Sequence, residues 1–299
     1  MAKFNILQCP VCGKTNFSVS VICTDYFVSG EKFNVKRCES CDFKITEDLE
    51  DESNIGKYYQ SEDYISHSNT TKGLVNSAYH TVRKYMLGRK RKLVEKSTAL
   101  KTGQILDVGT GTGFFLNEMK SAGWQTTGTE KSEDARLFSK NEFGLNVLDT
   151  EELFTLKNES FDAITLWHVL EHIHRLNENM QKFKELLKPQ GKLIIALPNH
   201  NSYDARHYKE FWAAWDVPRH IWHFGPEQMK QFGEKYELKL IGLQTMPFDG
   251  FYVSILSEKY KKSKFALLKG IFYGNISFWE SIFKPENCSS LIYIFEKSK

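Results

Sequence analysis

Ile105-Leu106-Asp107-Val108-Gly109-Thr110-Gly111-Thr112-Gly113 reads as a buried strand that runs into a glycine turn and opens a helix. An apolar run suits a strand covered on both faces, and the glycines let backbone pass close to a ligand. The helix is predicted over 114–121 and stops near Gly123. Its first N–H groups have no partner within the helix and face whatever the turn holds. Gly-x-Gly-x-Gly alone is a common string, so its neighbours decide its meaning. Asp107 stands just before the turn, and Glu130 follows the next predicted strand, 124–129. An acidic residue about 20 positions past the first glycine is where nucleotide-binding α/β folds place a ribose-binding carboxylate.

Dinucleotide sites set their third glycine three positions after the second, whereas here the glycines fall at 109, 111 and 113 and position 114 is Phe. The run 106–113 resembles the first motif of class I S-adenosylmethionine-dependent methyltransferases. Two later stretches extend the likeness: 160–173, around Trp167-His168-Val169-Leu170-Glu171-His172, resembles the fourth-strand segment, and 186–199 resembles the helix, turn and fifth strand that follow. Gln190 stands where the family often has Gly, with Gly191 expected to supply the helix stop. The resemblance implies an α/β fold: a Rossmann-like, seven-stranded, mostly parallel sheet with helices on both faces. It implies S-adenosylmethionine as cofactor, held by Asp107, Gly109, Thr110, Gly111, Gly113 and Glu130, with Asp149, Trp167 and Tyr59 as further contacts. Helix 226–236, with proline in its first turn, and strands 238–245 and 291–295 would complete the sheet, the last strand antiparallel.

Two Cys-x-x-Cys pairs, Cys9/Cys12 and Cys38/Cys41, are separated by 25 residues. Each pair can turn two thiolates toward one ion, and four thiolates satisfy tetrahedral Zn2+. Strand-like stretches at 17–23 and 33–37 supply the intervening hairpin, so residues 1–45 resemble a zinc ribbon with a structural zinc. Cys23 and Cys288 read as buried small side chains.

The acidic, nonperiodic residues after 45 read as a linker and, with Tyr58, Tyr59, Tyr64 and His67, as a lid or as ordinary packing over 46–72. Residues 73–299 are then the catalytic domain. Helix 74–97 has Leu74, Ala78, Val82, Tyr85, Met86, Leu93 and Val94 near helical spacing, and Arg83, Lys84, Arg89, Lys90, Arg91, Lys92 and Lys96 on its outer face. That face is either solvated or meets a phosphate-bearing substrate. The aromatic, lysine-rich stretch 251–283 reads as pocket wall, core or interface.

The 299 residues carry a net charge of only +3, which gives no general push toward nucleic acid. No signal-like stretch or bilayer-length apolar run is seen, so a cytoplasmic chain with reduced cysteines and no transmembrane segment is expected. Oligomeric state is not legible.

Methyl transfer needs alignment of the acceptor and, for a hydroxyl or an acidic carbon, a base. Two histidine clusters qualify. One is His168, Glu171, His172 and His174, at the carboxyl end of the fourth strand, where open α/β sheets bind ligands. The other lies in an insert at about 198–225 that includes His200, Asp204, Trp212, Trp215, Asp216, Arg219, His220 and His223; its Trp, His, Asp and Arg density suits a pocket for a polar ring. His220 is the leading base, then His168, with His172 beside it and Glu171 as helix-start residue or metal ligand. The chain so read methylates a small metabolite (sugar, quinone-like or other polar ring) on O or C. Ribbon plus methyltransferase resembles deoxysugar C-methyltransferases, and 167–173 resembles quinone-ring O-methyltransferases. An RNA base methyltransferase gripping RNA with the ribbon and a non-catalytic cofactor-binding protein stand as alternatives; steep salt dependence would mark the RNA reading.

Overall fold

The computed structural model describes residues 3–59 and 74–298, with side chains from Phe4 to Tyr59 and from Arg83 onward. Tyr64 and His67 of the lid reading lie outside these residues, as do the side chains of Leu74, Ala78 and Val82.

The N-terminal region holds β1 (Lys3–Phe4), the hairpin strands β2 (Phe17–Thr24) and β3 (Lys32–Cys38), then β4 (Lys44–Thr46) and β5 (Leu49–Glu50). The hairpin fills the interval between the two cysteine pairs. Residues 46–59 are not a free linker. β5 pairs with β1, Leu49 is fully buried, and a 3-10 turn over Ile55–Tyr59 buries Ile55 and Tyr58. The few apolar residues of this stretch anchor it.

The large sheet follows: β6 (Gln104–Val108), β7 (Gln125–Thr129), β8 (Val147–Leu148), β9 (Phe161–Trp167) and β10 (Leu187–Pro198). After the insert strand β11 (Trp222–His223) come β12 (Leu238–Thr245) and β13 (Ser290–Lys297). The sheet runs β12-β13-β10-β9-β6-β7-β8, all parallel except β13, which is antiparallel to both neighbours. Strand order reverses between β6 and β9, and the crevice at their carboxyl ends is where such sheets hold ligands.

Neighbouring residues of these strands face opposite sides. Leu106, Val108, Ile164, Leu166, Leu193 and Ile195 enter one core, and Ile105, Ala163, Ile194 and Ala196 enter the other. The first is covered by α4 (Leu176–Leu186) and α6 (Pro226–Lys235), through Phe183 and Phe232. The second is covered by α1 (Leu74–Thr98) and α2 (Phe114–Ser121), through Leu93, Val94, Leu116 and Met119. Helix α3 (Glu133–Phe143) starts on a Ser132 cap and ends at left-handed Gly144. The remaining helices are α5 (Tyr203–Tyr208) in the insert, and α7 (Asp249–Tyr260) and α8 (Ala266–Phe283) between the last two strands. None of the described helices is long and apolar enough to cross a membrane.

Two expectations are corrected here. Helix α4 ends at Leu186 without help from Gly191, because Lys188 precedes Pro189 and is pushed out of helical geometry. Gly191 instead permits a close approach: a Cβ there would lie 2.8 Å from the Phe161 carbonyl. On α1, Lys90 is not on the outer face, and Tyr85, expected on the apolar face, is exposed. Lys90 comes four residues after Met86 and three before Leu93, a spacing that turns it inward.

The ribbon and the insert share structure. β11 adds to β4, giving a four-stranded sheet β11-β4-β3-β2 with Trp222 opposite Ile45. Cys23, Phe33 and Val35 of the hairpin form a common core with Tyr208, Trp212, Trp215 and Val217 of the insert.

Candidate functional site

Past Val108 the chain turns through Gly109 (φ 66°) and Gly111 (φ 55°) into α2. A Cβ at Gly109 would sit 2.6 Å from Val169 Cγ2, whereas one at Gly111 would meet nothing within 4 Å. The turn is closed on the side of the β9 exit and open on the other, a cradle that a ligand fits. Asp107 lies buried beneath it, accepting from Thr165 Oγ1 at 2.6 Å, and burial pushes its carboxyl up to about 6. Glu130 accepts from the N–H groups of Gly111 at 2.8 Å and Ser132 at 2.9 Å, bracing the turn with both oxygens. Asp149, just past β8, caps a 3-10 turn and pairs with Arg136 at 2.9 Å. Trp167 ends β9 with Phe115 edge-on at 5.3 Å and the Lys90 ammonium 4.3 Å from the centre of one ring.

Gly109→Ala should both overpack Val169, by ~1–3 kcal/mol, and strain a left-handed position by ~1–2 kcal/mol. Gly111→Ala should cost only the second amount yet put a methyl group into the ligand's approach. Thermal melts paired with equilibrium dialysis of S-adenosylhomocysteine should therefore separate them: a large melting loss for the first, and a smaller one with at least about tenfold weaker binding for the second.

The two histidine clusters meet. At the tip of β9, His168 adopts a left-handed φ of 58°, the kind of backbone strain that gathers at functional sites. Its Nδ1 lies 3.4 Å from Glu171 Oε1 and its Nε2 lies 3.4 Å from Asp249 Oδ2. Burial opposes its charge, but Asp249 and Glu171 outweigh burial and hold it up at about 9. Glu171 is 1% exposed, and neither carboxylate oxygen has a hydrogen-bond partner. Burial alone would raise it; His168, His172 and His220 hold it below the ordinary carboxylate value.

His172 and His220 stack edge to face at 4.6 Å. Nδ1 of His172 donates to the Arg219 carbonyl at 3.0 Å, and Nδ1 of His220 donates to the Ala214 carbonyl at 2.9 Å. A carbonyl only accepts, so each ring carries its proton on Nδ1 and its lone pair on Nε2. Burial, reinforced by His220, pushes His172 down to about 4, so it is neutral near pH 7. Potential ligand atoms of Glu171, His172 and His220 lie within 4.8 Å of one another, a two-histidine, one-carboxylate set of the kind that binds divalent cations. Tyr59 reaches this cluster rather than the glycine turn: its hydroxyl is 3.2 Å from His172 Nδ1.

The rest of the insert is a joint, which corrects the polar-ring pocket. Trp212, Trp215, Arg219, His223 and Asp204 are all buried. Arg219 bonds Asp216 at 2.7 Å, Asp25 of the ribbon at 3.1 Å and the Tyr58 carbonyl at 2.8 Å. Asp204 takes the Trp212 indole N–H at 2.7 Å and the Ser289 hydroxyl at 2.8 Å. His223 meets Thr46, His200 accepts from Lys44, and His174 packs on Phe4, so these three histidines are structural. Aromatic and charged residues in one segment suit a pocket and a buried interface equally, and only pairing with the ribbon distinguishes them. Lys90 and Asp249 border the site and were not singled out for it in the sequence. A small cleft beside them is lined by Met86, Arg89, Leu93 and Met246 among others.

In the ribbon, Cys9 Sγ lies 3.6 Å from Cys41 Sγ and Cys12 Sγ 3.5 Å from Cys38 Sγ. A tetrahedral ion with bonds of about 2.3 Å spaces its sulfurs by roughly 3.8 Å, so the donor set fits zinc. Cys23 and Cys288 lie apart and are buried.

Residues 79–243 match the family model described as "Methyltransferase domain", more than half of the chain. The ubiquinone biosynthesis O-methyltransferase of Coxiella burnetii is 30% identical over 116 residues, covering 37% of this chain and 50% of the relative. The chain thus spans about half the length of the curated relatives it matches. Among solved structures, a putative sarcosine dimethylglycine methyltransferase from Galdieria sulphuraria aligns with a TM-score of 0.51 at 14% identity, over 70% of this chain and 86% of that one. The [4+2]-cyclase SpnF aligns with a TM-score of 0.50 at 16% identity, over 70% and 80%. Such likeness speaks for the fold alone, and the fold serves more than one chemistry. The glycine turn, the reversed strand order and the matched span together place the chain in the methyltransferase-domain family, among the class I S-adenosylmethionine-dependent methyltransferases.

Proposed function

We propose that the chain transfers a methyl group from S-adenosylmethionine to a hydroxyl, or to an acidic carbon, of a small ring-shaped metabolite. The observation that carries this reading is the convergence of two imidazoles, His172 and His220, with buried Glu171 at the carboxyl end of β9, beside the glycine turn. S-adenosylmethionine bound there supplies an electrophilic methyl group. Gly111 leaves room for it on the open side of the turn, with Asp107, Gly109, Thr110, Gly113, Glu130, Asp149 and Trp167 around it. His220, its Nδ1 anchored on Ala214, presents Nε2 as base to the acceptor, and charged His168 holds Glu171 ionised beside it. The Lys90–Asp249 cleft admits the acceptor. A quinone-like phenol is the leading acceptor, on the name of the Coxiella relative, and Cys9, Cys12, Cys38 and Cys41 hold a structural zinc.

The test uses methyl-labelled S-adenosylmethionine with fractionated cell extract. Label in the small-molecule fraction supports the reading. Label in ribonuclease-sensitive material would replace it with an RNA methyltransferase, and no transfer at all with cofactor bound would favour a binding protein.

A second reading has its own observation: both Glu171 oxygens are buried without a hydrogen-bond partner, and Glu171 lies within metal-ligand reach of His172 and His220. Those residues fit a divalent cation that would polarise the acceptor oxygen. Transfer that depends on added Mg2+ or Mn2+, and a Glu171→Gln chain that takes up one cation fewer, would support it; cation-independent transfer would exclude it.

A further inference from the structure

We propose that the α7–α8 hairpin docks the protein onto an anionic lipid surface. A helix of a soluble domain normally buries its large apolar side chains and shows its small and polar ones. Helix α8 does the reverse. Its buried seam is Gly270, Gly274, Ser277 and Ser281. A Cβ at Gly270 would lie 2.4 Å from Ile255 Cα of α7, and one at Gly274 would lie 2.7 Å from Phe251 Cδ1. Close approach through small residues is how helices pack in lipid. What it leaves outside is Leu268 (67% exposed), Phe272 (60%), Trp279 (57%) and Phe283 (78%), with Phe265 and Leu267 at the helix start.

The charge around this face selects the occupant. Lys259, Lys261, Lys262, Lys264, Lys269 and Lys284 flank it, and all are exposed. The one acid between them, Glu280, is drawn to Arg206 at 2.7 Å. A second copy docked here would bring lysines against lysines, a costly juxtaposition. An anionic bilayer accepts the apolar side chains below its headgroups and the lysines among them. Since α8 is not long and apolar enough to span, it lies in the plane of the interface.

The test is flotation of the full chain with phosphatidylcholine vesicles, with and without phosphatidylglycerol. At least about tenfold more protein should float with the anionic vesicles, and added salt should reduce it. The combined variant Leu268→Gln, Phe272→Gln, Trp279→Gln changes outward side chains only. It should keep the native thermal melt and lose binding at least about tenfold. The variant Lys262→Glu, Lys264→Glu should lose the preference for phosphatidylglycerol. Absence of flotation, equal flotation with neutral vesicles, or a sedimenting dimer that the triple variant splits would each overturn the proposal.

Discussion

A chain carrying His220→Ala should bind S-adenosylmethionine as the native chain does and transfer the methyl group at least about a hundredfold more slowly, the usual worth of a positioned general base. The argument rests on where His220 is held. Its ring is fixed at Nδ1 by the Ala214 carbonyl, and its own carbonyl accepts from Thr46 Oγ1 at 2.7 Å. Truncation therefore removes the imidazole without freeing the backbone that carries it. The glycine turn, Asp107 and Glu130 lie on other elements and keep their contacts. The check is label transfer at saturating cofactor alongside equilibrium dialysis. Unchanged turnover would remove His220 from the chemistry and leave His172, neutral near pH 7, as the next base.

The second large effect is expected from the cysteines. Cys38→Ser, or a strong chelator, should release one zinc per chain and take methyl transfer with it. Small zinc modules draw most of their folding free energy from the metal, but the loss should travel further here. The knuckle carbonyls of Cys41 and Pro10 accept from Gln228 and Lys235 of α6. Arg219, adjacent to His220, is buried against Asp25 of the ribbon, and removing one partner of a buried pair leaves the other uncompensated. Hydrogen exchange should thus lose protection in the ribbon and also over 213–225, while β6 and β9 stay protected. Protection lost in the ribbon alone would make it an independent module. A metal-free N-terminus with native protection would remove zinc.

Much of the catalytic half is legible along the chain because its signals are local. The apolar run before Gly109, the spacing of Glu130 and the proline opening α6 each act within a few residues. Histidines at 168, 172 and 220 are visible as candidates, but their meeting is not. It depends on the insert folding back over β9 and on hydrogen bonds to carbonyls, which carry no side-chain signature. Arg219 and Asp25 illustrate the same limit, since a buried pair so distant in sequence has no periodicity to betray it. Lys90 is a different case. Its place on the buried stripe of α1 is readable from Met86 and Leu93, and charge alone hides it. Helix α8 misleads through composition, since hydrophobicity suggests a core while the glycine and serine seam decides which side is inside.

The strand β11 carries one more consequence, for the order in which the protein comes into being. A ribbon whose strands were all contiguous in sequence would close as soon as it left the ribosome. This one lacks its fourth strand until Trp222 and His223 emerge, roughly 180 residues after Ile45, which at ordinary translation rates is a delay of about ten to thirty seconds. Through that interval the outer edge of β4 waits uncovered, and the ribbon is completed only when most of the methyltransferase domain has been made.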